Sequence, residues 1–421
     1  MNKPIELTAG SGTSRPVTEC QVCGCRDLVE SLYLGGLPPV NTMPGIGSTP
    51  VEQASYPAGW LYCPECELVQ LGLIVDPQVL FPPDYPYTSG TTRILHENFA
   101  DLAEESGAML GLARTDLVVD IGSNDGTLLS KFRERGYRVY GIEPTDAARL
   151  AVAAGIDTRS DFFTLDVAKS VRAQKGPARL VTAANCFAHI ENVHAIVDGI
   201  LAMLDDDGVF ISENHYLIPL IDTLQYDTIY HEHLRYYSLT SLSNLLARHG
   251  LEVIHARPIP SHGGSIRVYA ARRGTRPVND SVAAMLAMEK ARGPMVDQLA
   301  AFSRRVVMSK LDLMAMLRDI KARGERVYAI SAPSRGSTLA NYVGLDDGII
   351  DCICEIKGSL KIGKYLPGTK IPVVEESVLF SDQPDYALLF AWHIADGLMP
   401  KLRQLGFKGK FIVPLPQPRI A

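Results

Sequence analysis

The stretch DLVVDIGSNDGTLLSKF, residues 116–132, decides the fold of the central part of this chain. It predicts a buried strand, a glycine-containing turn and the start of a helix, as in doubly wound α/β sheets. Asp120 ends the strand, Gly122 allows the main chain to approach a ligand closely, and Asn124 offers polar groups at the helix start. The stretch lacks the G-x-G-x-x-G turn of dinucleotide-binding enzymes, which weakens the prediction of an NAD site.

A carboxylate ends the next predicted strand, RVYGIEP, residues 138–144. Glu143 in that position is placed to accept hydrogen bonds from both hydroxyls of a ribose. Further along, Phe162 or Phe163 is placed to pack against an adenine ring. Together these features favour S-adenosylmethionine as the cofactor.

Polar side chains continue along the carboxyl edge of the same predicted sheet, where ligands bind in such folds. Asn185 and His189 follow one strand, and Asn214 ends the next. The short link SHGG, residues 261–264, predicts that the last two strands form an antiparallel hairpin. This is the seven-stranded order of methyltransferases, and it predicts a cofactor-binding domain over residues 76–280.

A second stretch, QYDTIYHEHLRYYS, holds two histidines, a glutamate and four tyrosines; we call residues 225–238 the YHEH segment. As a helix it would place Tyr230 and His233 on one face. As an extended strand it would place Tyr230 and Glu232 on one side and His233 on the other. In both cases a histidine beside a carboxylate suits a general base, although an aromatic packing segment is the structural alternative.

The overall composition limits the partners. A chain of 421 residues has room for two or three domains. A formal net charge of −6, with acids and bases interspersed, argues against nucleic acid or a membrane surface as partner. No apolar run approaches the roughly 20 residues of a membrane span, and the polar N-terminus lacks a signal-peptide core. The sequence therefore predicts a cytoplasmic protein.

Four of the eight cysteines form two Cys-x-x-Cys pairs near the start of the chain: Cys20 with Cys23, and Cys63 with Cys66. Two such pairs give the closed four-sulfur site typical of structural zinc. Cys25 is an alternative ligand to Cys23. We predict a zinc-binding module over residues 1–75, with a role in folding rather than in the reaction.

The remaining sequence, residues 281–421, predicts a long helical region broken at Gly293-Pro294 and then a second strand–loop–helix unit, RVYAISAPSRGSTLANYVG. In that loop, hydroxyls and main-chain amides beside a cation could hold a diphosphate at a helix N-terminus, although a plain turn is the alternative. The candidate substrate-binding residues of this region are Ser334, Arg335, Ser337, Glu355 and Tyr365.

Three features together resemble one family: the paired Cys-x-x-Cys motifs, DIGSNDGTLL with GIEP, and YHEHLRYYSL followed by SAPSRGST. The chain is similar to the S-adenosylmethionine-dependent C-methyltransferases that act on nucleotide-linked keto-deoxysugars in antibiotic pathways. The resemblance implies an α/β fold with an N-terminal zinc-binding module, a central seven-stranded Rossmann-like domain and a smaller C-terminal Rossmann-like domain. The last would bind the sugar nucleotide, usually a dTDP-sugar.

The resemblance also implies roles for individual residues. His233 would be the base, with Tyr230, Glu232 and His189 around the reacting sugar. Tyr87, in the proline-rich loop at residues 81–93, would close over it, although a plain linker is the alternative for that loop. Two departures concern the nucleotide contacts: Arg335 stands where the family commonly has lysine, and Glu355 where aspartate is more usual.

The expected reaction is C3 methylation of a 4-keto sugar through an enolate, with His233 polarised by Glu232. A monomer could build the complete site, because the second nucleotide-binding unit is internal. The alternatives are an O- or N-methyltransferase, a zinc-ribbon binding module with an inactive methyltransferase fold, and an NAD-dependent epimerase or dehydrogenase. The last predicts a Tyr-x-x-x-Lys pair, and Tyr230 is followed at that spacing by Leu234.

Overall fold

The structure is a computed structural model that describes residues 14–48, 52–81, 90 and 93–421. The predicted lid residue Tyr87 lies outside these ranges. Within these ranges the chain is α/β. Two small sheets lie in an N-terminal region, a seven-stranded sheet in a central region and a six-stranded sheet in a C-terminal region. None of the helices in the described ranges is both long enough and apolar enough to cross a membrane.

The N-terminal region is a small antiparallel structure around the two cysteine pairs. Its elements are β1 (Ser14–Pro16), β2 (Val29–Leu37), β3 (Tyr56–Tyr62), β4 (Val69–Leu71), β5 (Leu73–Val75) and α1 (Pro77–Leu80). β2, β3 and β4 pair in that order, and β1 pairs with β5. The sheet of β2, β3 and β4 has a fourth strand, Arg235–Tyr236, which comes from later in the chain and pairs with β4. The YHEH segment therefore supplies an edge strand to the N-terminal sheet.

The central region alternates strands and helices as the sequence predicted. Its elements are α2 (Arg93–Leu110), β6 (Leu117–Ile121), α3 (Thr127–Glu134), β7 (Arg138–Ile142), α4 (Ala147–Ala153), β8 (Thr158–Arg159), α5 (Leu165–Lys175), β9 (Ala178–Ala184), α6 (Val193–Met203), β10 (Leu204–His215), α7 (Leu217–Asp222), β11 (Arg235–Tyr236), α8 (Leu239–Arg248), β12 (Leu251–Ile259) and β13 (Ser265–Arg272). Short 3-10 turns lie at Tyr226–Thr228 and Ser261–Gly263.

All of these strands except β11 form one seven-stranded sheet, in the order β12-β13-β10-β9-β6-β7-β8. The run from β10 to β8 is parallel, whereas β13 is antiparallel to both of its neighbours, which confirms the predicted hairpin. All five residues of β6 are buried, because helices cover both faces of a parallel sheet. The carboxyl ends of β6, β7, β9 and β10 therefore meet at one edge.

The C-terminal region is a second, smaller parallel unit. Its elements are α9 (Asp280–Ala291), α10 (Met295–Ala322), β14 (Val327–Ile330), α11 (Ser334–Val343), β15 (Ile353–Glu355), β16 (Val373–Glu375), α12 (Ser377–Asp382), β17 (Tyr386–Leu389), α13 (Ala395–Gln404), β18 (Lys410–Val413) and β19 (Arg419–Ile420), with a 3-10 turn at Trp392–Ile394. The break between α9 and α10 falls at Gly293-Pro294, as predicted, because proline suits the start of a helix and not its interior.

The strand order of the second sheet is β16-β15-β14-β17-β18-β19, and all pairs except the last are parallel. Sheets of this order bind ligands where successive connections turn to opposite sides, at the carboxyl ends of the central strands. Here that position lies between β14 and β17, and α11 starts directly after β14. One continuous apolar core joins this unit to the N-terminal region and to one face of the central sheet.

A buried arginine ties the N-terminal sheet to the central one. Arg235 is 2% exposed, and its guanidinium donates to the side-chain oxygen of Gln21, which lies between two of the paired cysteines. It also donates to the main-chain carbonyls of Ile190 and Glu191, in the loop after β9. Its Nε donates to the Tyr237 hydroxyl at 2.9 Å. One cation thus holds together the cysteine module, the YHEH segment and the loop that carries His189.

Replacing Arg235 by methionine keeps much of the apolar stem and removes the donors. We expect the free energy of unfolding to fall by about 2–4 kcal/mol, because several buried acceptors lose their partner. Urea denaturation of both proteins measures this change. Arg26→Met is the matched control, since the Arg26 side chain is 84% exposed, and its stability should stay within about 0.5 kcal/mol of the wild type. Equal effects of the two substitutions would contradict this assignment.

Candidate active site and zinc site

The four predicted cysteine ligands come together. The Sγ atoms of Cys20, Cys23, Cys63 and Cys66 all lie within 4.8 Å of one another. Four convergent thiolates are the donor set of a closed tetrahedral zinc site, so the residues fit structural zinc. Cys25 is not part of this group; its main-chain carbonyl instead accepts a hydrogen bond from the Cys20 amide. The geometry thereby settles the choice between Cys23 and Cys25.

The two predicted acids lie at the carboxyl ends of the adjacent strands β6 and β7. Asp120 is 3% exposed and accepts a hydrogen bond from the Thr182 hydroxyl at 2.6 Å. Burial raises the pKa of Asp120 to about 7. Glu143 accepts from the Asn124 main-chain amide at 2.9 Å and from the amide and hydroxyl of Thr145. The Glu143 carboxylate is thus fixed across the turn that follows β6.

This edge is shaped to receive a ligand. Gly122 has a φ of +67°, and a side chain there would come within 3.0 Å of Cys186. Two buried oxygens, Ser123 Oγ and Asn185 Oδ1, have no hydrogen-bond partner in the part of the chain that the structure describes. Gly122 lets the turn pack closely on Cys186, while the unpartnered oxygens and the fixed carboxylate are hydrogen-bonding groups that a nucleoside needs, so these residues fit S-adenosylmethionine.

The two candidate adenine contacts, Phe162 and Phe163, differ in their exposure. Phe163 is 8% exposed and packs against Gly199 of α6. Phe162 is 49% exposed, so its ring is accessible at the surface. Of the pair, only Phe162 has an exposed ring face available for a ligand.

The YHEH segment is neither a helix nor a continuous strand, so both interpretations of its periodicity were wrong over most of its length. After the 3-10 turn it forms a further turn, in which the His233 amide donates to the Tyr230 carbonyl. The turn brings the two rings to a centroid distance of 4.1 Å. His231 points away and contacts the Pro57 carbonyl of the N-terminal region at 3.1 Å. Sequence periodicity fails here because the segment is held by neighbours distant in sequence.

His233 lies in a series of four imidazoles that we call the histidine row: His189, His233, His215 and His262. The successive ring centroids are 4.9, 5.0 and 5.6 Å apart. The rings come from the loop after β9, the YHEH segment, the end of β10 and the hairpin tip, respectively. In the described ranges, the four cysteines are the group placed to hold a metal ion, and the histidine row is not.

The electrostatics of the row favour neutral rings. Burial lowers the pKa of His233 to about 4 and of His262 to about 4, and lowers the pKa values of His189 and His215 well below the ordinary range. His233 Nδ1 lies 2.7 Å from the Thr228 carbonyl, which can only accept. Nδ1 therefore carries the proton, and Nε2 is left as the basic nitrogen.

This arrangement corrects one expectation. The group that orients His233 is the Thr228 main-chain carbonyl and not the Glu232 carboxylate. Glu232 instead accepts a hydrogen bond from the Asn41 amide at 2.8 Å. Neighbouring residues on an irregular segment point in different directions, so adjacency in sequence did not translate into a hydrogen bond.

Of the residues predicted to bind the nucleotide, Ser334 starts α11 and donates to the Asn41 side chain at 3.3 Å. Ser337 is 1% exposed, inside the helix, and its carbonyl accepts from the Asn341 amide. Tyr365 accepts, through its hydroxyl, from the Gly47 amide at 3.4 Å. Of these three residues, Ser334 is thus the one at the N-terminus of α11.

Two of the predicted site residues in the C-terminal unit, one acidic and one basic, already have partners within the protein. Glu355 accepts from the Ala332 amide at 2.8 Å, in the loop between β14 and α11. Arg335 is 6% exposed, and its Nε lies 3.2 Å from Asp227 Oδ2 of the YHEH segment. Arg335 is therefore already ion-paired, although its Nη1 has no hydrogen-bond partner in the described ranges, and its contact with a diphosphate stays a prediction. Arg335 bridges the central and C-terminal regions.

The sequence patterns did not indicate several polar residues that lie near these groups. Asp227 had no motif to mark it, and its partners Arg335 and Trp392 are more than a hundred residues away. Lys361 is buried beside Glu232 and Glu355, and its ammonium donates to the Ala332 carbonyl at 2.7 Å. The predicted Asn214 is 2% exposed, and both polar atoms of its amide are unpartnered within the described ranges.

Family models match the chain in three successive parts. They are described as "Putative zinc binding domain" over residues 20–81, "Methyltransferase domain" over 92–256 and "C-methyltransferase C-terminal domain" over 260–416. Among curated proteins, the C-methyltransferase NovU of Streptomyces niveus is 35% identical over 410 residues, which cover 96% of this chain and 97% of that protein.

Solved methyltransferases overlap with part of the chain. Magnesium protoporphyrin IX methyltransferase (ChlM) from Synechocystis PCC 6803, with bound SAM, has a TM-score of 0.33 and 13% identity, over 42% of this chain and 79% of that one. A SAM-dependent methyltransferase from Anabaena variabilis has a TM-score of 0.34 and 15% identity, over 42% and 86%. Likeness at this level does not bear on the function of the chain.

The zinc site gives a direct test with a built-in control. We expect about one zinc ion per purified chain, retained in Cys25→Ser and lost in Cys23→Ser, because only Cys23 belongs to the four-sulfur group. Elemental analysis measures the metal content. Turnover should fall with the metal, since β11 pairs within the sheet that the site holds together. Loss of zinc from Cys25→Ser, with retention in Cys23→Ser, would reverse the assignment.

Proposed function

This chain belongs to the S-adenosylmethionine-dependent C-methyltransferases, and we propose that it methylates C3 of a dTDP-linked 4-keto-deoxysugar through an enolate, in deoxysugar biosynthesis. One observation carries the proposal. His233 is a buried, neutral imidazole whose Nδ1 is held by the Thr228 carbonyl and whose ring lies 4.1 Å from that of Tyr230. A base held in this way is suited to take a proton from carbon, and the tyrosine hydroxyl to hydrogen-bond the adjacent oxygen.

Carbon methylation needs such a base because a C–H bond is not a nucleophile. A ketone makes the proton on the neighbouring carbon acidic enough for His233 Nε2 to remove it. The negative charge then develops on the ketone oxygen, where Tyr230 and His189 are placed as hydrogen-bond donors. Excluding water from the site would strengthen these hydrogen bonds, and the burial of His233, which is 8% exposed, supports that.

When bound, S-adenosylmethionine supplies an electrophilic methyl group. The residues of this chain that would hold it are those of the carboxyl edge: Asp120, Gly122, Asn124, Glu143, Phe162 and Asn185. Glu143 would accept from the ribose hydroxyls, and the exposed Phe162 ring would cover the adenine. Methyl transfer itself then depends on positioning more than on further acid–base chemistry.

The nucleotide would lie in the C-terminal unit. The position between β14 and β17 is the ligand-binding crevice of such a sheet, and Ser334 stands at its edge, at the start of α11. Asn41 contacts both Ser334 and Glu232, so the nucleotide side and the reacting side of the cleft are adjacent. This adjacency supports a substrate that spans from the second unit to the histidine row. Tyr87 as its lid stays a prediction.

Replacing His233 by asparagine should abolish turnover and leave S-adenosylmethionine affinity near that of the wild type, because His233 is not among the residues that would hold the cofactor. The decisive measurement is solvent deuterium exchange at the carbon beside the ketone, followed by mass spectrometry without the methyl donor. We expect exchange with the wild type and none with the variant. An O- or N-methyltransferase would show no exchange in either protein, which would contradict C-methylation.

His231→Gln is the matched control for that experiment, since His231 belongs to the same segment but points into the N-terminal region. We expect it to retain most of the exchange. A dTDP-linked 4-keto sugar is the substrate probe in both cases. Exchange in His233→Asn at the wild-type rate would remove His233 as the base.

The pH profile follows from the lowered pKa of His233, about 4 against an ordinary 6.5. The base acts in its neutral form, so kcat/KM should stay flat from about pH 8 down to about pH 5.5 and fall through about pH 4. The same shift costs the folded protein stability as the pH drops below 6.5, because the unfolded chain binds the proton more readily. If kcat/KM instead fell with a midpoint near pH 6.5, while S-adenosylmethionine binding stayed constant, that result would contradict a buried, neutral imidazole at His233.

A further inference from the structure

The far end of the histidine row meets a group of polar atoms that the structure leaves without partners. Nη1 of Arg335, Nε2 of His262 and Nδ1 of His393 are all buried, and none has a hydrogen-bond partner within the described residues. Arg335 as a whole is 6% exposed. Buried polar nitrogens are nearly always paired, so three such atoms in one place indicate a ligand.

The three side chains come from separate elements that meet at this point. Arg335 is in the first turn of α11, His262 is at the tip of the β12–β13 hairpin, and His393 is in the 3-10 turn after β17. The hairpin tip packs against that 3-10 turn, and the Arg335 guanidinium lies 5.2 Å from the centre of the Trp392 ring. The positive charge of Arg335 contributes, after burial, to lowering the pKa values of both histidines.

The backbone at His262 is held in an unfavourable conformation. Its φ is +55°, in the left-handed region that glycine adopts readily and histidine rarely does. The neighbouring residues Gly263 and Gly264 show that the sequence supplies glycine in this turn where needed. Strain of this kind persists mainly where a side chain has a function.

We propose that Arg335, His262 and His393 form a subsite for phosphate oxygens, and that it binds the diphosphate of the sugar nucleotide. The inference rests on the proposed function for the identity of that ligand. A planar guanidinium with an unused N–H, flanked by two imidazoles that can each donate one N–H, is suited to an oxyanion. Asp227 holds Arg335 in place without occupying Nη1.

The position of the subsite favours the substrate over the cofactor. His262 is at the β13 end of the sheet, three strand spacings from β6, or about 14 Å. It is two ring-to-ring steps from the base, 5.6 Å to His215 and 5.0 Å on to His233. A diphosphate at His262 would leave a span on the order of one sugar ring between the phosphate and His233.

Binding of dTDP and of inorganic pyrophosphate, measured by calorimetry without S-adenosylmethionine, tests the proposal. We expect His262→Gly and His393→Asn each to weaken both ligands by about ten- to a hundredfold, the effect of one hydrogen bond to a charged group. Glycine suits the positive φ, so the first variant should fold. His262→Asn, which also tolerates that conformation, should recover part of the affinity. S-adenosylmethionine affinity should not change.

His249→Gln is the control, because His249 contacts Asp198 and His194 outside this cleft. Unchanged affinity for dTDP and pyrophosphate in both His262→Gly and His393→Asn would overturn the subsite. Weaker S-adenosylmethionine binding, with dTDP unaffected, would also overturn it and assign the atoms to the cofactor carboxylate. Weaker dTDP binding in variants of an enzyme that shows no carbon exchange would support the subsite and overturn only the proposed reaction.

Discussion

The buried guanidinium of Arg235 is the interaction on which the site depends. A cation taken out of water is costly unless nearly every N–H finds an acceptor, and Arg235 finds them in Gln21, the Tyr237 hydroxyl and main-chain carbonyls of residues 187–191. These acceptors belong to three different parts of the chain. The cation can be satisfied only when the cysteine module, the YHEH segment and the loop carrying His189 are assembled together.

A second buried ion pair plays the corresponding part between the central and C-terminal regions. Asp227 accepts from the Arg335 guanidinium and, at 2.7 Å, from the Trp392 indole. Pairs of this kind contribute little net stability, because desolvation offsets their attraction. Their value here is geometric: Asp227 is six residues before His233, so the pair restrains the position of His233, the proposed base, relative to the C-terminal unit.

The sequence predicted those features that depend on local patterns. The apolar strand before Gly122, the SHGG hairpin and the helix break at Pro294 each follow from a few adjacent residues, and the structure confirms them. The orientation of His233 could not be predicted, because its turn is shaped by the contact of Leu234 with Ala188 and by strand pairing with Gln70. The ion pair between Arg335 and Asp227 could not be predicted for the same reason, since nothing near Arg335 in sequence indicates Asp227.

The pairing of β11 with β4 bears on how such chains can diversify. The N-terminal region needs a strand from the central region to complete its larger sheet, so it is not an independent folding unit. Replacing the first eighty residues by a segment without an acceptor at the position of Gln21 would leave the buried Arg235 with one acceptor fewer and disturb the strand pairing at Gln70. The two parts should therefore be exchangeable between such chains only together.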